Sequence, residues 1–163
     1  MPQVRNQMLD QIEANIERQI PKNQLEAYQK IVTAGLKLAY SDKLGKAMMT
    51  ELSKAKDPVS EVVKGSVGII LVLYQQSGKT MPLEPIVPAG MALVLEGLDV
   101  LDKIGKIAIN AETIDRATED YIELIRTKMG VTDEQMAKVG QEVEGALQQP
   151  GMIEKLEASN GAR

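Results

Sequence analysis

Val62-Val63-Lys64-Gly65-Ser66-Val67-Gly68-Ile69-Ile70-Leu71-Val72-Leu73-Tyr74 and Ile86-Val87-Pro88-Ala89-Gly90-Met91-Ala92-Leu93-Val94-Leu95-Glu96-Gly97-Leu98-Asp99-Val100-Leu101 are the two stretches that decide the fold. Each is apolar on nearly every side at helical spacing, and such a helix belongs in the middle of a protein core or a bilayer. Ser77-Gly78 and the prolines at 82, 85 and 88 interrupt the run between them. The remaining segments have one apolar face each, so they can cover a buried pair. The expectation is an all-α, compact bundle of six to eight helices around a central helix pair spanning residues 58–105, with short links that imply antiparallel neighbours.

The whole composition agrees with that plan. The chain has 163 residues, the size of a single helical domain (1–163), and a domain of that length buries about 70% of its unfolded surface. With no cysteine it has no disulfide and needs none. It also lacks His, Trp and Phe and has four tyrosines, so the core must be built from Leu, Ile, Val, Met and Ala, which favours helix-on-helix packing. A net charge of −4 with both signs interspersed suits an ordinary protein surface. It offers neither the basic stripe nor the aromatic platform of a nucleic-acid binder. The start, Met1-Pro2-Gln3-Val4-Arg5-Asn6, lacks the apolar core of a secretory signal, so the product is expected to stay in the cytoplasm until assembly or release. The most apolar run, 67–74, is eight residues where a bilayer needs about twenty, so a membrane span is not expected.

Taken in order, Val4, Met8, Leu9, Ile12, Ile16 and Ile20 form the stripe of a peripheral amphipathic helix from Gln3 to Arg18, within residues 1–21 and stopped by Pro21. Asn23 with Glu26 has the pattern of a capping box opening a second helix, which turns Leu25, Tyr28, Ile31, Val32, Leu36 and Ala39 inward. Gly35 in that helix allows a close neighbour or marks a kink. Ser41 can cap a short helix from Asp42 to Lys54 with Leu44, Met48, Met49 and Leu52 on its apolar face. Asp57-Pro58 opens the first buried helix, to about Gln76, in which Gly65 and Gly68 would admit a close helix. A loop over Ser77–Pro85 leads into the second, with Pro88 early in it and an end near Gly105. Asn110 caps a helix to Met129 that buries Ile114, Ala117, Tyr121, Leu124 and Ile125, with Gly130 as terminator. Thr132 with Gln135 opens a further helix to Gln148 bearing Met136, Val139, Val143 and Leu147, then Pro150-Gly151, a short turn over Met152–Ala158 and a frayed tail at 159–163.

Chemistry-bearing patterns are few. Ser77-Gly78-Lys79-Thr80 resembles the end of a phosphate-binding loop, but Leu73 stands where that loop needs its first glycine and a helix precedes it, so a polar turn is the plainer reading. Glu96, Asp99 and Asp102 recur three apart and could offer ligands to a hard cation such as calcium or magnesium; the plainer reading is a solvated edge paired with Lys103 or Lys106. A Ser-Lys dyad of Ser66 with Lys64 has no supporting motif. Asp115, Arg116, Glu119, Asp120, Glu123, Arg126 and Lys128 make a mixed-charge helix face, solvated or paired with a neighbouring subunit. The nine methionines, Met48-Met49 among them, serve either as core filler or as the lining of an adaptable groove. No enzyme activity, catalytic residue, metal, cofactor or small-molecule substrate is expected.

Ile31-Val32-Thr33-Ala34-Gly35-Leu36-Lys37 and Glu84-Pro85-Ile86-Val87-Pro88-Ala89-Gly90, followed by Glu96-Gly97-Leu98-Asp99, resemble stretches of the small all-helical virion proteins of tailed bacteriophages. The resemblance covers roughly Leu25 to Tyr121 and carries no site residue onto this chain. It implies a non-enzymatic component of the head, neck, tail or ejection apparatus, located in the virion and partnered by other virion proteins or by copies of itself. Two other readings stand beside it. A membrane-active ejection or pore protein would insert the two apolar helices as a hairpin, with Gly65, Gly68, Gly90 and Gly97 at the contact and with Glu96 and Asp99 opposing it. A cytosolic binding or adaptor module would recognise a partner helix through a Met-lined groove.

Overall fold

Leu83–Lys103 is the rod about which the other helices are arranged. The computed structural model describes residues 6–130, and these form α1 (Gln7–Arg18), α2 (Lys22–Ala39), α3 (Asp42–Lys54), α4 (Pro58–Gln76), α5 (Leu83–Lys103) and α6 (Ala111–Met129), with no strand among the described residues. The all-α bundle is therefore as the periodicity implies. Residues 3–5 of the expected first helix, Val4 among them, and the helices placed over 132–148 and 152–158 lie outside the described residues.

Helix α5 is buried without a break from Pro85 to Leu95 and is packed by α1, α2, α4 and α6. Gly97 near its end rests on Val62 near the start of α4, so α4 and α5 form an antiparallel hairpin. Burial within this pair is unequal. Val59, Val62, Val63, Ser66, Val67, Ile69, Ile70 and Leu73 of α4 face inward, while Lys64 and Val72 face outward, Val72 being 43% exposed.

The caps explain where several helices begin and end. Asp57 accepts a bond from the Ser60 amide at 3.3 Å, and Pro58 follows at a position where a missing N–H costs nothing. Asn110 accepts from the Thr113 amide at 2.8 Å, and Gly130 ends α6 in the left-handed region at φ 64°. Three expected starts are corrected, those of α1, α2 and α5, while α3 starts at Asp42 as expected but without a side-chain cap from Ser41. Asn6 has non-helical angles and accepts from the Met8 amide at 2.8 Å, so α1 begins at Gln7. Asn23 lies inside α2, which opens after Pro21 with no side-chain cap; Glu26 pairs with Lys30 at 2.9 Å instead of reaching back, and that hydrogen bond and charge hold its carboxyl below the ordinary value. The Ser41 hydroxyl donates to the Leu38 carbonyl at 2.7 Å, closing α2 rather than capping α3. Helix α5 begins at Leu83, before the expected loop has ended, because Pro85 falls in the first turn, where its missing donor is free in any case.

The tightest approaches occur at glycines other than Gly65 and Gly68. A Cβ on Gly68 would meet nothing within 4 Å, and one on Gly65 would meet only the tip of Met48. Gly35 instead receives Leu93, and Gly90 receives the ring of Tyr121, whose hydroxyl donates to the Val87 carbonyl at 2.6 Å. Tyr121 is fully buried, and burial pushes its phenol well above the ordinary tyrosine range.

Candidate functional site

Helix α3 packs on α4 and α2, with Leu44 and Met48 partly buried against the core. Leu52 is its one buried residue, and Gly45 packs on the Ala39 carbonyl, fixing a tight corner with α2. The middle of the helix bridges a groove of about 560 Å³. Val62, Ser66 and Ile69, spaced by four and three on α4, supply one wall, with Leu93, Gly97 and Val100 of α5 as floor and Leu36 and Ala39 of α2 opposite. Met48 and Met49 overhang it, and Tyr40, Ser41, Asp42, Lys46 and Thr50 form the polar mouth.

The small residues Ala39, Ser66 and Gly97 leave this volume unfilled. Two large apolar side chains at the groove remain open to solvent, Tyr40 at 60% and Met49 at 39%. The Tyr40 hydroxyl donates to Glu96 Oε1 at 2.6 Å, fixing one polar point at the edge of an otherwise aliphatic and thioether surface. Such a mixture, apolar walls with a few placed polar groups, suits non-covalent recognition of an apolar side chain or ligand. Unbranched methionines let the roof adapt to what enters.

The sequence candidates separate in space. Glu96, Asp99 and Asp102 do not converge, because three residues advance a helix by 300°, so the first and third stand about 120° apart. Glu96 is held by Tyr40, while Asp99 accepts from the Asn6 amide at 3.1 Å and pairs with Lys103 Nζ at 2.7 Å. The solvated-edge reading is corrected for two of them: Asp99 and Asp102 are buried, at 2% and 6% exposure. Lys103 is the ion partner, as the spacing allows. Among the described residues no three acidic side chains are grouped to hold a metal ion.

Ser66 lies in the groove wall, whereas Lys64 is exposed and pairs with Glu61 at 3.7 Å, so the dyad is not assembled. Residues 77–80 close the C-terminal end of α4: the amides of Gly78 and Lys79 donate to the carbonyls of Gln75 and Tyr74, and the Ser77 hydroxyl to that of Tyr74. Those amides are spent on the helix and do not cradle a phosphate. On α6 the charged row is exposed apart from half-buried Asp120, with Arg116 bonded to Asp57 across to α4. Tyr40 is the groove residue that sequence reading overlooks; its only signal is its rarity, one of four aromatics in the chain.

The chain matches no family model, no curated protein and no solved structure. Among the described residues no helix is long and apolar enough to cross a membrane.

Proposed function

We propose that the chain is a non-enzymatic structural component of a tailed-phage virion that works through protein–protein contacts in a multi-copy assembly, with the groove beneath α3 as a contact surface. The observation that carries this reading is the groove itself: an aliphatic cleft of about 560 Å³ beside α3, with exposed Tyr40 and Met49 at its edge. Aromatic and methionine side chains are the types that protein interfaces favour over the rest of a surface. The phage assignment rests on the resemblance of the stretches at 31–37, 84–90 and 96–99.

The same groove also favours a second reading, a helical adaptor that binds a partner in the host cytoplasm. Static light scattering of the purified chain, with and without Met49→Asp, and mass spectrometry of purified particles test the choice. The virion reading expects association that rises with concentration, a weaker tendency in the variant, and the chain recovered with particles. A strict monomer absent from particles overturns it, and co-purification with a protein of uninfected cells supports the adaptor.

A further inference from the structure

Helix α1 is attached differently from the rest. Every other helix among those described packs substantially against two or more neighbours, whereas α1 packs substantially on α5 alone. One part of the attachment is an apolar stripe, Met8, Leu9, Ile12 and Ile16, all buried. Polar contacts add to it: near the far end Glu17 Oε1 accepts an exposed bond from Gln29 Nε2 of α2 at 3.4 Å, and a part-buried one sits at the start of the helix. The Asn6 backbone amide, which by position has no partner inside the helix, donates to Asp99 Oδ1 at 3.1 Å, and Lys103 Nζ lies 2.7 Å from Asp99 Oδ2. Asp99 is 2% exposed, and a carboxylate buried to that degree needs its hydrogen bonds. One of those bonds comes from the element it holds, at the positive end of the α1 dipole.

The other end of α1 is a joint. Gln19 and Ile20 leave the helix, and Pro21 is extended at φ −57° and ψ 144°, so no continuous helix ties α1 to α2. Twelve residues are too few to keep a helix formed alone in water. Lifting α1 from α5 would therefore also melt it, without disturbing the contacts among α2, α4, α5 and α6.

We propose that α1 is a releasable arm, opening about the joint at residues 19–21 while the other five helices stay folded, with Asp99 as the latch. Opening leaves Asp99 paired with Lys103 and hydrated where the Asn6 amide had been. It uncovers the side of α5 that Asp99 shares, at helical spacing, with Leu95 and Ala92, and it frees the α1 stripe for a neighbouring surface. The arm follows from the packing of this one chain and is independent of the virion reading, so a strictly monomeric protein would leave it standing.

Amide hydrogen exchange of the full chain, followed by mass spectrometry on wild type, Asp99→Asn and Asp99→Ala, tests it. In wild type, amides of 10–18 are expected to exchange at least about tenfold faster than those of 67–73 and 91–98, as sub-global opening requires. Asp99→Ala is expected to speed the first group by about a further tenfold with less effect on the others, and Asp99→Asn, which keeps an acceptor for the Asn6 amide, by less. Should Asp99→Ala not fold, the wild-type comparison and Asp99→Asn decide. Exchange of 10–18 in step with the core of α4 in wild type overturns the arm, and equal acceleration of all three groups in the variants overturns the latch.

Discussion

Gly90→Ala and Gly68→Ala are the same chemical change in the same type of element, and the structure assigns them opposite signs. A Cβ on Gly90 would stand 2.2 Å from Tyr121 Oη, 2.9 Å from Cζ and 3.0 Å from Cε2. Tyr121 is fully buried and its hydroxyl is bonded to the Val87 carbonyl, so the ring cannot withdraw without breaking that bond. Overpacking of this kind costs about 1–3 kcal/mol, and a lost hydrogen bond adds about 1 kcal/mol. Alanine's better helix propensity returns about 1 kcal/mol. The net expectation is a loss of about 1–3 kcal/mol, or about 2–12 °C in Tm for a chain of this length. At Gly68 the added methyl meets nothing within 4 Å, so the propensity gain stands alone and Tm should rise by about 2–4 °C. Gly35→Ala should fall between the two, because the atoms in its way are the terminal methyls of Leu93, which can turn aside. Thermal unfolding followed by circular dichroism reads all three. A Gly90→Ala protein as stable as wild type, or a Gly68→Ala protein equally damaged, would refute the packing of Tyr121 on α5.

Asp57 both caps α4 and pairs with Arg116, whereas Arg116 contributes a half-exposed ion pair; Asp57→Ala should therefore cost about 0.5–2 kcal/mol and Arg116→Ala no more than about 1 kcal/mol, as chemical denaturation would measure. Tyr121 keeps its proton in the fold and can release it on unfolding, since its folded pKa stands above the ordinary value of about 10. The stability it contributes is thus whole below about pH 10 and is lost as pH rises beyond that, and Tyr121→Phe should flatten the alkaline slope of stability while lowering stability at neutral pH by about 1 kcal/mol. Gly130→Ala puts a Cβ at φ 64° and should fray the end of α6 at a cost of about 1–2 kcal/mol, seen as faster exchange at residues 126–129.

The parts of this fold written locally were legible in the sequence. Asp57-Pro58, Asn110 and Gly130 mark helix ends by side-chain or backbone chemistry confined to one turn, and the structure has its helix ends at those places. Errors arose where two local signals compete. Asn23 with Glu26 has the letters of a capping box, but Pro21 already holds the entry angle two residues earlier, and Lys30 draws Glu26 forward. Other features are tertiary and leave no local trace. Spacing alone cannot tell which side of α5 a carboxylate meets; Asp99 is buried because Asn6, 93 residues away, brings α1 onto it. Gly68 and Gly90 are alike in sequence, and only the position of Tyr121 makes one of them necessary. The groove is of this second kind, for the doublet Met48-Met49 showed methionines without showing the space beneath them.

That space follows from how α3 is strung between its neighbours. A tight corner at Gly45 and a short link to Asp57 hold the two ends of a thirteen-residue helix against α2 and α4. Beneath it, Ser66, Gly97 and Ala39 are the small members of a lining that also includes Leu36, Val62, Ile69, Leu93 and Val100. Gly97 cannot enlarge to fill the gap, since its Cβ would stand 2.5 Å from Val62 Cγ1, and the contact of α4 with α5 depends on that closeness. The requirement that packs the central hairpin tightly therefore keeps this part of the lining small. An apolar cleft roofed by adaptable methionines is the consequence.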